Sequence, residues 1–376
     1  MLARFRILLP FAFSIPQGDA LVPTELDHEG YRIRLYPPYQ ASTSFAAMAD
    51  PTVVPSDLVY LLHPAEQPTV DQTVFVNGQP TIRANAIQID VFKSEFDRTA
   101  SNDGTFSDDP PIDMLVELTQ SMLHRLRSVG RGHPIHPIAK EGNLWRLEFL
   151  TDAGDKLQDE KGKMRARASS HLQIVVAGLT DSIWNAAMSL PLTLRTKDWE
   201  TLLLDAESHL PDEIPAITLA AAALETLIGY SLSVLAPTTG ISGELWSFII
   251  DRGRRDYRNE VGVREKYDEM LHALTGHSLK EVPRLWEAFM NIRDIRNSLM
   301  HNGIFALGGK PVTRVQAYDL IERAKELADW IEALLPECAR RPPICPTTVA
   351  LQRMMIMNRT PSQFIVRPVS MLPKPK

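Results

Sequence analysis

The period of the hydrophobic pattern changes along the chain. Tyr31 to Leu35 alternates apolar and basic residues, the signature of a half-buried strand. Leu58 to Leu62 and Thr73 to Val76 are further apolar or β-branched runs, and Asn77-Gly78 predicts a turn before a strand over Thr81 to Phe92. Leu144 to Leu150 and His171 to Val176 read as two more strands. Between them Met114, Leu115, Leu118, Met122 and Leu123 fall on one side of a helix over Asp113 to Arg127, after a polar acidic loop at 100–112. The opening run Ile7 to Phe13 behind Arg4 and Arg6 has the outline of a signal peptide. Pro10 and Pro16 interrupt it and no small-x-small cleavage site follows, so an opening strand is the better reading.

Near residue 190 the texture becomes helical. Helices are predicted at 198–209, 214–234, 242–252, 263–275, 280–302 and 313–335, with Pro211, Pro237, Gly240, Gly276, Gly303, Gly308 and Gly309 at their joints. The fold class expected is therefore two-domain. A β-rich α+β domain over 1–190 precedes an all-α antiparallel helical bundle over 196–340, and a proline-containing basic tail follows over 341–376. That tail is either a mobile extension or a strand that packs back on the first domain.

Composition narrows the function. With 376 residues the chain can hold two cores, and 44% apolar with 23% charged residues is ordinary globular composition. Cys338 and Cys345 make no disulfide framework and have no metal-ligand spacing. The net charge of −6 excludes a whole-molecule nucleic-acid binder held by charge, so any RNA site is local or assembled from more than one chain. No apolar stretch is read as approaching the ~20 residues of a membrane span, which points to the cytoplasm. There is no P-loop, dinucleotide fingerprint or nucleophile elbow, and no cofactor is expected.

The chemistry gathers on the 280–302 helix. At about 100° per residue, Phe289, Ile292, Ile295 and Leu299 fall on the core side. Arg293, Arg296, Asn297, Met300 and His301 fall opposite, with Asn297 and His301 neighbours at i and i+4. A permanent cation, an amide and an imidazole together suit gripping a phosphodiester and moving a proton. Such residues are also common on a solvated face, and a His in the last turn complements the helix dipole. Glu225 is the one carboxylate in the nearly apolar run Thr218 to Tyr230. If buried it needs a partner, and the later arginines and histidine are natural ones; the other reading turns it outward.

Arg-Asn-Ser-Leu-Met-His at 296–301, late in a helical region and followed by a glycine turn, resembles the motif of the HEPN superfamily; Ala-Leu-Glu at 223–225 is similar to the first long helix of several members. The resemblance covers roughly 196–340, and the β-rich front half looks like that of HEPN proteins in bacterial anti-phage and abortive-infection systems. It implies a metal-independent endoribonuclease in which the ribose 2′-hydroxyl attacks the adjacent phosphate. His301 would transfer the proton, Arg296 would clamp the phosphate, Asn297 would orient phosphate or imidazole, Glu225 would hold Arg296 or His301, and Arg293 would support the set. One His cannot serve easily as both acid and base, so a homodimer with a composite site is implied. The first domain would be a sensor or regulator, answering to a phage-derived activator or an antitoxin. The alternative is a non-catalytic HEPN-like dimerisation or RNA-binding module.

Within 196–340 there are 16 Lys+Arg against 23 Asp+Glu, so a structured RNA such as tRNA, recognised by shape, fits better than arbitrary single strands. Arg252, Arg254, Arg255, Arg258, Arg264 and Lys266 are a local exception that can extend an RNA path or form a salt-bridged loop. His133 and His136, each before a proline, lack partners for a metal site, and Asp103, Asp108, Asp109 and Asp113 lack calcium-loop spacing. Trp199, Trp286 and Trp330 read as core. Met354, Met355 and Met357 can fill a groove. No helix has the density of a DNA-recognition helix.

Overall fold

In the computed structural model, the residues described are 1–41, 70–76, 79–96, 109–131, 135–138, 145–151, 163–165, 176–210, 212–246, 249 and 261–343. The expectations for Leu58 to Leu62, Asn77-Gly78, most of the 100–112 loop, His133, residues 171–175, the basic stretch 252–258 and the tail beyond 343 lie outside them. The chain forms two compact units. One comprises Met1–Leu126 with Pro134–Leu190, the other Arg127–His133 with Pro191–Ile344.

The first unit is built on an eight-stranded sheet. Strands β1 (Leu2–Pro16), β2 (Thr24–His28), β3 (Tyr31–Leu35), β4 (Val70–Val76), β5 (Gln79–Phe92), β6 (Trp145–Leu150) and β7 (Lys163–Arg165) pair antiparallel in the order β2-β3-β5-β1-β6-β7, with β4 also on β5. A last strand, β8 (Val176–Gly178), runs parallel to β1. Alternation sets the two faces. Ala3, Phe5 and Ile7 lie opposite Val91, Ile89 and Ile87, and all six are fully buried. Removing each large one from water contributes about 1.5–3 kcal/mol. Helix α1 (Ile112–Gly130) buries Met114, Leu115, Leu118, Met122 and Leu123 as its spacing predicts. Helix α2 (Asp181–Met188), β2 and β7 were not anticipated.

Arg4 and Arg6, which give the N-terminus its signal-peptide outline, point to the other face of β1. The Arg4 guanidinium donates to both Asp90 carboxylate oxygens at 2.8 Å. Arg6 donates to Gln88 at 3.0 Å and to Glu148 at 3.1 Å. Burial holds Arg6 below the usual arginine range, against the pull of Glu148. Pro10 is tolerated because it is exposed and lies where the β1–β5 register slips between Leu8 and Phe13.

The second unit is helical. It contains α3 (Asp198–His209), α4 (Glu213–Thr238), α5, α6 (Pro283–Asn302) and α7 (Arg314–Ala333); α5 runs from Val263–Glu265 through a π-turn at Lys266–Met270 into Leu271–Thr275. Helix α4 is central and touches the other four. Ala216, Ala220, Ala223, Leu224, Leu227, Ile228 and Leu232 are buried there, and the small residues let neighbouring helices approach.

Three expectations need correction here. Among the described residues α4 is long and apolar enough to cross a bilayer (26 residues, mean hydropathy 1.6), contrary to the reading that no stretch approaches this; 56% of its most apolar window is buried inside the protein. Pro237 does not stop α4 but sits inside its last turn, and Gly240 follows with φ +80°. Gly308 and Gly309 are not helix stops. Both have positive φ and turn a two-residue hairpin between β9 (Ala306–Leu307) and β10 (Lys310–Pro311).

Candidate functional site

Helix α6 presents the candidate residues. A 3-10 turn at Leu279–Glu281, capped by the Ser278 hydroxyl accepting from the Lys280 N–H, leads into it, and Pro283 occupies its first turn, where a missing N–H costs nothing. Leu285, Ala288, Phe289, Ile292 and Ile295 are buried, which fixes the rotation of the helix; Leu299 is only half-buried. Gly303 ends the helix at φ +67°, its N–H reaching the Leu299 carbonyl at 2.9 Å while Ile304 N–H reaches Ser298 at 3.4 Å.

The wheel reading of the opposite face holds for Met300 and His301 alone, since Arg296 follows Leu285, Phe289 and Ile292 at spacings that put it on their buried stripe. Arg293, Arg296 and Asn297 are half-buried, and Met300 and His301 are exposed. Arg296 Nη1 donates to Asn297 Oδ1 at 3.2 Å, so guanidinium and amide are brought together. Among the described residues no carboxylate pairs with Arg296, which leaves most of its five donors open. Arg293 leans on Met290 Sδ at 3.7 Å and lies 3.8 Å from the Asp294 carboxylate. His301 stands in the last turn with its ring in solvent. An open guanidinium, an amide it orients and an accessible imidazole can bind an oxyanion and exchange a proton with it.

Glu225 does not join them. It is exposed, and it forms no ion pair with Arg296 or His301. The physical reason is visible along α4: Glu225, Gly229 and Ser233 recur every four residues and are all exposed, so they mark the outward stripe of a helix whose other sides are buried. Burial of the carboxylate, the premise for seeking a partner, does not occur. Its charge reaches Tyr267, whose buried hydroxyl donates to the Leu224 carbonyl at 2.7 Å. The Tyr267 phenol is raised well above its ordinary range, by burial first and then by the Glu225 charge.

Sequence reasoning missed a second ionic group in this unit. Arg131 pairs with Glu200, itself 1% exposed, and donates to the Pro342 carbonyl at 3.1 Å. Arg341 donates to Glu332 at 2.7 Å and Asp329 at 2.6 Å, lies 4.0 Å from Glu200, and has its guanidinium 4.6 Å from the centre of the Trp199 ring. Burial raises the Glu200 carboxyl above the usual range, and the two arginines oppose that. Arg341 is therefore seated in the helical unit, which corrects the reading of a tail that starts at 341. Glu200 and Trp199 are distant from it in sequence, and Glu332 and Asp329 lie 9 and 12 residues back, beyond helical spacing, so no local pattern reveals the group. Trp199 is core as expected, whereas Trp286 and Trp330 are half-buried and packed against it. Among the described residues no group of three or more His, Cys, Asp or Glu can hold a metal ion.

Comparison with protein-family models, curated proteins and solved structures gives no match for this chain.

Proposed function

We propose that the helical unit is a HEPN-like endoribonuclease acting as a homodimer. The observation that carries this reading is the accessible set at the end of α6: Arg296 without a carboxylate partner among the described residues, Asn297 held by it, and His301 in solvent. Two copies facing one cleft supply two imidazoles. One takes the proton of the ribose 2′-hydroxyl as its oxygen bonds to phosphorus; the P–O5′ bond breaks, and the other protonates the leaving 5′-oxygen. Arg296 stabilises the charge that develops on the non-bridging oxygens. The products are a 2′,3′-cyclic phosphate and a 5′-hydroxyl. Met300 and Ile304, 62% and 57% exposed beside His301, supply apolar surface for the second copy.

In this reading the substrate is a structured RNA such as tRNA. The β-rich unit regulates the nuclease in response to a phage-derived activator or an antitoxin, and the protein acts in the cytoplasm as a defence effector or toxin. Induction in bacteria tests it: the wild type damages RNA and arrests growth, whereas Arg296→Ala and His301→Ala do not. Equal arrest by the variants rejects the catalytic assignment. Light scattering checks the dimer, and a stable monomer with and without RNA rejects the composite site.

A further inference from the structure

We infer that one line of half-buried and exposed side chains along α6 is a path for an unpaired segment of that structured RNA, and that its far end is a stacking platform at Trp286. The inference rests on the ribonuclease reading for the class of ligand, and on separate observations for the place. Trp286, Met290, Arg293, Asn297 and His301 follow one another at spacings of three or four residues and so form one line along the helix. At a rise of about 1.5 Å per residue the line is roughly 22 Å long, the reach of several nucleotides.

Trp286 is unlike the core tryptophans. Trp184 and Trp199 are 0% and 1% exposed, whereas Trp286 packs against the core but is only partly buried. Phe289 braces it from the core side, with ring centroids 5.6 Å apart and planes at 48°. Two exposed cations stand over its ring: the Arg264 guanidinium at 5.8 Å from the centroid and the Lys280 ammonium at 5.4 Å. Lys280 pairs with Asp268; among the described residues Arg264 makes no close ion pair, its charge acting on the same Asp268 carboxylate from farther away. An indole braced on one side with a guanidinium and an ammonium beside its ring is a combination that binds unpaired nucleotides: the ring stacks on a base of any identity, and a cation meets the phosphate beside it. Midway, Arg293 is held to Met290 Sδ and shared at 3.8 Å with the Asp294 carboxylate, before Asn297 and His301. This end of the helix therefore holds the strand, and the other end holds the phosphate that reacts. The acidic balance of the unit confines binding to this line.

The test uses the full-length protein and fluorescence anisotropy with fully 2′-O-methylated oligouridylates, a trinucleotide and a decanucleotide, which 2′-hydroxyl attack cannot cleave. Wild type binds the decanucleotide on the order of tenfold tighter than the trinucleotide. Trp286→Ala abolishes that gain and leaves trinucleotide binding unchanged, and Trp286→Phe, which keeps a ring on Phe289, retains most of it. No gain with length in the wild type, or an unchanged gain in a folded Trp286→Ala protein, overturns the inference. Cleavage of unmodified RNA, measured in parallel, reports on the ribonuclease reading alone. Trp286-dependent binding without His301-dependent cleavage rejects that reading and keeps the path. Cleavage with no contribution from Trp286 does the reverse.

Discussion

Two arginine clusters of the helical unit use the same side chain in opposite ways. Around Glu200, the guanidinium groups of Arg131 and Arg341 are buried with carboxylates and carbonyls as partners. At the end of α6, Arg296 has an amide for a partner and, among the described residues, no carboxylate, and His301 in the same last turns is exposed. The first arrangement is closed: removing a member strands a charge in a low-dielectric interior, and no donor is offered to anything outside. The second leaves donors facing solvent, where they contribute little to folding and are available to a phosphate. Chemistry alone does not separate the two, since both present arginine beside polar groups. Pairing and exposure do, and they make the second cluster the place to look for activity.

The largest expected effect breaks activity and spares the fold. His301→Ala or Arg296→Ala lowers RNA cleavage by on the order of 10²–10⁴-fold. The midpoint of urea unfolding stays put for the exposed His301, within about 0.5 kcal/mol, and shifts little for the half-buried Arg296. Parallel losses of activity and stability would show that the α6 cluster is structural. The buried cluster behaves inversely. Glu200→Ala leaves two guanidinium groups without that carboxylate and destabilises by about 3–5 kcal/mol, while cleavage per folded molecule is unchanged. A neutral Glu200→Ala would remove the contrast.

A pH profile sharpens the same comparison. Because burial raises the folded-state Glu200 carboxyl above its unfolded value, its protonated form is favoured on folding. Its contribution to stability is fully present below the ordinary carboxylate range and is lost as pH rises through the raised value. The difference between wild type and Glu200→Gln unfolding free energies isolates this term, and a difference independent of pH in that window contradicts it. Smaller still is Gly303→Ala at φ +67°. No atom lies within 4 Å of the added Cβ, so only the left-handed backbone resists, at about 1 kcal/mol in the unfolding midpoint. Glu225→Ala should do least, with cleavage and stability close to wild type. A loss of activity comparable to that of Arg296→Ala would restore its assigned supporting role.

Much of the frame is legible in the sequence because it is periodic. The alternation in Tyr31–Leu35 and the run through Phe92 become β3 and β5, and the helical windows at 198–209, 280–302 and 313–335 return within a few residues as α3, α6 and α7. The outward turn of His301 is legible for the same reason, because five buried apolar residues fix the rotation of α6, whereas Arg296 falls on their stripe and is half-buried. Orientation fails where periodicity is weak. Helix α4 is apolar on most sides, so the single carboxylate looked buried, and only the recurrence of Glu225, Gly229 and Ser233 discloses the outward stripe. Pairing fails where partners are far apart in the chain, as with Arg131, Glu200, Glu332 and Arg341. Tight turns were misplaced when glycines served a hairpin rather than a helix end, as at Gly308-Gly309.

The most direct test of the central claim is the chemistry of RNA ends. Purified protein and its His301→Ala variant are incubated with total RNA in EDTA, and fragment termini are mapped. The account predicts 2′,3′-cyclic phosphates and 5′-hydroxyls from the wild type and none above background from the variant. The same fragments in equal yield from both proteins would contradict it.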